Sequence, residues 1–317
     1  MKTTDRILLS RIKYAVSEID KAFLNSPQFL SGSLSDLLQC KMYLKDETQN
    51  PIGSFKGRGA ELLVSGLGYN SELVCASAGN FGQALAYSCK KKGVKVTVFA
   101  SINANSLKVK KMQSLGAKVI LYGNDFDEAK SEAKAFAGKY NIGFVEDSLN
   151  IETVEGAGTI GLELLNLPSK IEYLLIALGN GALATGIAKV FKHYSPETKI
   201  IVVQARGAPA MIESWKKGEV VNLLGADTIA DGIAVRLPIP EVVEDMRGLI
   251  DEGILVSDES IVEGIRVLNR YEGLRAEPSA AVGIAAILEN PTLFSKKNVC
   301  SVICGGNLTE EQVQKWL

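Results

Sequence analysis

One lysine lies in a setting suited to covalent chemistry. In the segment 50–60, Asn50-Pro51 and Gly53 are turn signals, and Ser54 is a good helix N-cap. Lys56 then falls in the first turn of the helix this spacing predicts. The positive end of a helix disfavours an ammonium ion, which suits a nucleophilic amine with a lowered pKa. The bland alternative is a solvated surface lysine, as most lysines are. Three further segments place backbone donors or a thiol after an apolar run. Ser77, Ala78, Gly79, Asn80 and Phe81 open a predicted helix whose N–H groups suit a carboxylate. Gly179, Asn180, Gly181, Ala182 and Leu183 form a small-residue turn that lets N–H groups approach a phosphate. Cys304 precedes Gly305-Gly306 and presents a thiol at a strand end. Ordinary strand-to-helix turns, and a cysteine acting as a small buried hydrophobe, are the alternatives.

The elements that must carry these segments alternate along the chain. Strand-like runs are read at 73–76, 95–100, 118–122, 173–178, 200–203 and 298–303. Helical patterns are read at 80–92, 106–115, 125–140, 182–193 and 258–272. Short apolar strands separated by helices predict an α/β fold with mostly parallel open sheets, covered on both faces. Ligands in such folds bind where strand ends lead into helices. The turn at 179–183 lacks the Gly-Lys-Ser/Thr of a nucleotide P-loop, and its glycines do not match the dinucleotide fingerprint. The polar stretches 45–53 and 146–153 are the candidate places for a division into two domains.

Composition removes several classes of function. The net charge of −1 gives no field for nucleic acid or anionic lipid. No apolar run approaches bilayer length, and residues 1–6 lead into no signal-like segment. A single histidine, His193, argues against a histidine metal site or a Ser-His-Asp triad. The five cysteines form no CxxC pair, which suits reduced thiols in a cytoplasmic protein.

Taken in order, these segments resemble the fold-type II pyridoxal phosphate enzymes (tryptophan synthase β-like), which include serine and threonine dehydratases, serine racemase, threonine synthase and the cysteine synthase relatives. The resemblance rests on Gly53-Ser54-Phe55-Lys56, the 77–83 block, the 179–183 turn, the segment 228–235 and Cys304-Gly305-Gly306-Asn307. It implies two domains, a large one of residues 1–45 and 148–317 and a small one of 46–147. It also implies a homodimer. Lys56 would bind pyridoxal 5′-phosphate covalently and shuttle the α-proton, with Phe55 and Gly232 flanking the ring. Asn80 would bond the ring hydroxyl, and Ser77, Ala78, Gly79, Asn80 and Phe81 would hold the substrate carboxylate. Gly179, Asn180, Gly181, Ala182 and Leu183 would cradle the phosphate. The 179–183 turn departs from the all-glycine form at Asn180 and Ala182, changes that leave backbone donors in place. Cys304 would face the pyridine nitrogen. A neutral thiol there is a weak donor, so the ring is a weaker electron sink than one paired with a carboxylate, and loss of a β-substituent is favoured.

Within that family the resemblance implies dehydration of L-threonine or L-serine to a 2-oxo acid and ammonia. The alternative is a threonine synthase or another replacement enzyme, suggested by Lys45-Asp46-Glu47 and Glu277-Pro278-Ser279. A racemase needs a proton donor opposite the lysine, and Ala78 stands where serine racemases carry a serine. Gln204 and Ala210 replace the acidic residues of the racemase-type metal site, so no metal is expected. A non-catalytic relative of the fold is a further alternative. With eleven residues following Gly306, the regulatory domain of biosynthetic threonine dehydratases is not expected.

Overall fold

Tyr173-Leu174-Leu175-Ile176-Ala177 has no polar alternation, the pattern of a strand buried on both faces. Strands of this kind set the architecture. The computed structural model describes residues 5–317. Residues 1–4, part of the segment read above for a signal sequence, lie outside the described residues. In chain order the first elements are α1 (Leu9–Glu18), β1 (Gln28–Ser31), α2 (Gly32–Leu38), β2 (Lys41–Asp46), α3 (Lys56–Ser65), β3 (Glu72–Ala76) and α4 (Asn80–Lys92). Then come β4 (Lys95–Ala100), α5 (Ser106–Ser114), β5 (Lys118–Leu121), α6 (Phe126–Tyr140), β6 (Gly143–Val145) and α7 (Ile151–Leu164). The chain continues with β7 (Tyr173–Ala177), α8 (Ala182–Tyr194), β8 (Lys199–Ala205), α9 (Ala210–Lys217), α10 (Pro240–Asp245) and β9 (Glu252–Val256). It closes with α11 (Asp258–Glu272), α12 (Pro278–Glu289), α13 (Pro291–Phe294), β10 (Asn298–Ile303) and α14 (Glu310–Trp316).

Two sheets result. One has six strands in the order β1-β2-β10-β7-β8-β9, and the other has four in the order β5-β4-β3-β6. Every pairing is parallel except β1 with β2. Both faces of the four-stranded sheet are covered. Cys75, Val96 and Val98 pack on one side with α3 and α4, while Val74 and Phe99 meet Ala129 and Ala133 of α6 on the other. Parallel strands bring their carboxyl ends to one edge, so the turns after β2, β3, β6, β7 and β10 can converge. No helix among the described residues is long and apolar enough to cross a membrane.

The seat of Lys56 is built by burial of charge. Arg58, two residues on, is fully buried. Its guanidinium donates to Glu47 at 2.9 and 2.8 Å and to Glu163 at 2.6 and 2.9 Å. Lys45 Nζ donates to Glu163 Oε2 at 2.5 Å. Burial pushes the Glu163 carboxyl up, but Arg58 and Lys45 outweigh it and hold the group below its ordinary value. These pairs tie α3 to the end of β2 and to α7. The crossing of α3 and α7 is close because Gly59 and Gly156 carry no side chain. A Cβ on Gly59 would lie 2.6 Å from Thr153 Cα, and one on Gly156 would lie 2.6 Å from the Arg58 carbonyl oxygen. Phe55, just before α3, already adopts helical torsions. Ser54 precedes it and accepts the Lys56 N–H on its hydroxyl at 3.4 Å, the contact expected of a capping serine.

Arg58→Met would leave two carboxylates buried without their guanidinium. It is expected to lower the unfolding free energy by about 3–5 kcal/mol, read from urea denaturation followed by circular dichroism. A loss under about 1 kcal/mol would mean that the network does not anchor α3.

Candidate active site

Lys56 begins α3 in a corner formed by strand ends of both sheets. Its Nζ lies 4.5 Å from the centroid of the Phe55 ring and donates to Asp147 Oδ2 at 2.6 Å. Asp147 follows β6. The next residue, Ser148, accepts the Ala182 N–H on its hydroxyl at 3.0 Å, at the start of α8. Adjacent residues of one turn therefore grip the lysine amine and the small-residue turn after β7. Ser148 is held in the left-handed region at φ 71°. Its N–H donates to Thr153 Oγ1 at 2.9 Å.

The turn 179–183 is shaped as a cradle. The N–H groups of Gly179, Asn180 and Gly181 find no acceptor among the described residues. Gly181 has φ 101°, a conformation L-residues rarely adopt. A Cβ on Gly179 would sit 2.8 Å from the Gly232 carbonyl oxygen, so the two backbones touch. Ala182 and Leu183 turn their side chains into the core, which leaves their backbone as the part facing the turn. Behind Gly232 stands Ser279, whose hydroxyl is buried and unpartnered and would lie 2.7 Å from a Cβ on Gly232.

Cys304 closes the same corner from the end of β10. Its carbonyl accepts the Phe55 N–H at 3.0 Å, and an isolated bridge pairs Ser54 with Gly305. Burial pushes the thiol pKa far up, so the group is a neutral thiol and not a thiolate.

The 77–81 turn faces this corner from β3 and α4. Ser77 Oγ accepts the N–H groups of Gly79 and Gly82 at 3.2 and 2.9 Å, which fixes the turn. Ala78 is half-buried. Phe81 is read as part of the turn, yet its ring belongs to the apolar core with Leu85 and Val98, leaving only its backbone toward the site. Asn80 has its amide engaged by the protein. Its Nδ2 donates to Glu277 at 2.9 and 3.1 Å, and its Oδ1 accepts from Asn307 Nδ2 at 2.9 Å. Burial pushes the Glu277 carboxyl up, with Asn80 opposing, and the Asp231 charge adds to the rise. Lys111 Nζ extends the chain by donating to Asn307 Oδ1 at 2.9 Å.

The sequence residues thus fall into one connected site. Sequence reading missed Asp147, Ser148 and Arg58. It carried Glu277, Ser279 and Asn307 only within longer motifs. Asp147 and Ser148 lie in a stretch that looked like a domain boundary, and only the φ-positive turn after β6 turns them inward. Gln204, expected in place of a metal ligand, is buried and accepts the Ile212 N–H at 2.8 Å.

These features fit pyridoxal phosphate. The amine, the free N–H groups of the cradle, the Ser279 hydroxyl without a partner and the neutral Cys304 thiol match an aldehyde, a phosphate and a pyridine ring. Gly179→Ala would push against Gly232 and move the cradle. It is expected to fold normally and to lose at least about ten-fold in affinity for the phosphorylated cofactor, roughly the effect of one lost charged hydrogen bond, measured by titration of cofactor absorbance. Unchanged affinity would remove the turn as the phosphate site.

Comparison with known proteins agrees. The family model for "Pyridoxal-phosphate dependent enzyme" matches residues 19–305. An L-threonine ammonia-lyase of Thermotoga maritima is 34% identical over 98% of this chain and 78% of its own length. The processed threonine deaminase isoform 2 of Solanum lycopersicum superposes with a TM-score of 0.89 at 29% identity, covering 97% of this chain and 93% of that one. A serine racemase of Dictyostelium discoideum has a TM-score of 0.87 at 27% identity, covering 96% of this chain and 99% of that one. With its amine, cradle and thiol so arranged and nearly the whole length matched, the chain belongs to the family of pyridoxal-phosphate dependent enzymes.

Proposed function

We propose that this enzyme removes water from L-threonine, yielding 2-oxobutyrate and ammonia, and accepts L-serine as a second substrate to give pyruvate. The observation that carries the reading is the pair of grips made by Asp147 and Ser148. They bring the Lys56 amine and the cradle 179–183 within one turn of each other. The similarity to a threonine ammonia-lyase and a threonine deaminase supports the substrate class.

Bound pyridoxal phosphate supplies an electron sink for the pair left at Cα. The chain's own residues do the rest. Lys56 would hold the cofactor and move the proton at Cα. Backbone N–H groups of Gly179, Asn180, Gly181, Ala182 and Leu183 would hold the phosphate, Ala182 giving up its Ser148 contact. The turn from Ser77 to Phe81 would orient the substrate carboxylate. Phe55 and Gly232 would flank the ring, and Asn80 would bond its hydroxyl on releasing a protein partner. Cys304 would offer the ring nitrogen a weak neutral donor. Ala78 has no proton to give from the opposite face, which disfavours racemisation.

We also read the chain as two domains, 1–45 with 148–317 and 46–147. Supporting this, the strands of the smaller sheet lie within 72–145, and those of the larger lie within 28–46 and 173–303. Ala15 and Ile19 nonetheless pack into the smaller sheet's core. The resemblance argues for a homodimer, and five free buried cysteines suit the reducing cytoplasm.

Purified protein loaded with pyridoxal phosphate should form 2-oxobutyrate from L-threonine and pyruvate from L-serine in a coupled lactate dehydrogenase assay. Lys56→Ala should lower the rate by about 10²–10⁴ or more, the worth of a positioned base. Absence of both products with cofactor bound would sink the dehydratase reading and direct the search to replacement reactions.

A further inference from the structure

Asp147 has a half-used carboxylate. Oδ2 accepts from Lys56 at 2.6 Å, while Oδ1 is buried with no partner. The Lys56 and Asp147 side chains are only 20% and 12% exposed, so water screens this pair weakly. The turn holding Asp147 is braced on both sides. Glu146 N–H donates to Asn150 Oδ1 at 2.9 Å, and Glu146 pairs with Lys130 and Lys134. Ser148 keeps its left-handed backbone, a conformation that costs about 1–3 kcal/mol where a side chain is present. A strained, braced turn that aims a carboxylate at the reacting amine calls for a use.

We propose that Asp147 is a second catalytic residue, the proton partner of the Lys56 amine. It stabilises the ammonium that Lys56 becomes on taking the Cα proton. Before the amine attacks an aldehyde, the ammonium gives one proton to solvent, and the carboxylate beside it opposes that loss. No electrons and no other atoms move. The inference rests on the reading of Lys56 as the cofactor-binding amine. The other groups facing Lys56 do not compete for this role. Phe55 presents a ring face, and Cys304 is a neutral thiol. The acids Glu47 and Glu277 are taken up by Arg58 and Asn80.

The test uses the cofactor-free protein. Pyridoxal 5′-phosphate is added at a series of pH values from about 7 to about 12, a range spanning the titration of an ordinary lysine near about 10.4. Borohydride then traps the adduct, and peptide mass spectrometry counts labelled Lys56. Removing the carboxylate destabilises the ammonium, so capture by Asp147→Asn should reach its midpoint at lower pH. The shift expected is about 1 pH unit or more, since an opposite charge this close is worth about 1–3 units. Asp147→Glu should restore most of it. Asp147→Ser is read in the same way if the Asn variant does not fold. A midpoint unmoved in the folded variant overturns the proposal, and so does failure of both variants to fold, which would make Asp147 a structural residue. Absence of any Lys56 adduct in the unaltered protein would overturn the reading of Lys56 instead.

Discussion

Everything at the site depends on four charged side chains that are shut away from water. Arg58, Glu47, Glu163 and Lys45 form a nearly dry ionic cluster beneath the first turn of α3. Such clusters add little net stability compared with apolar packing, but breaking one is costly, because the remaining charges stay buried. That asymmetry makes the cluster a positional lock. It fixes the angle at which α3 leaves β2 and crosses α7, and with it the direction in which Lys56 points. The glycine contacts between α3 and α7 do the same by shape, since no other residue fits the crossing.

The strand ends then supply chemistry with little further adjustment. Each turn around Lys56 follows a strand of a parallel sheet, so its backbone groups face the same edge. The polar residues there are tied to one another: Lys111 to Asn307, Asn307 to Asn80, Asn80 to Glu277. This line runs from an exposed lysine to a buried carboxyl held toward its neutral form. Two arms of the site, one on each sheet, are joined through it.

Much of this was legible in the residues. Helices α4 and α11 and strands β4 and β10 have the limits that their periodicity gave, because their apolar spacing is regular and their ends are marked by Gly93, Gly273 or a polar break. The turns at 77–81 and 179–183 each look like an ordinary strand-to-helix turn alone, and it was their order along the chain, with Lys56 before them and Cys304 after, that stood out. Helix α7 was not legible. Its three glycines argue against a helix on propensity, and only close packing against α3 and α8 makes them favourable. The segment 45–53 looked like a polar boundary, since a sequence does not reveal that Lys45 and Glu47 will find buried partners. Asp147 was hidden for a related reason. Its inward aim depends on the torsion of Ser148, which a serine does not advertise.

The neighbouring grips of Asp147 and Ser148 couple two parts of the site, the Lys56 amine and the turn 179–183. The hydroxyl that meets the head of α8 and the carboxylate that meets the amine sit on the same short, braced stretch of backbone. Because one short stretch carries both contacts, neither can be moved without disturbing the other, and the Lys56 amine and the head of α8 keep a fixed separation.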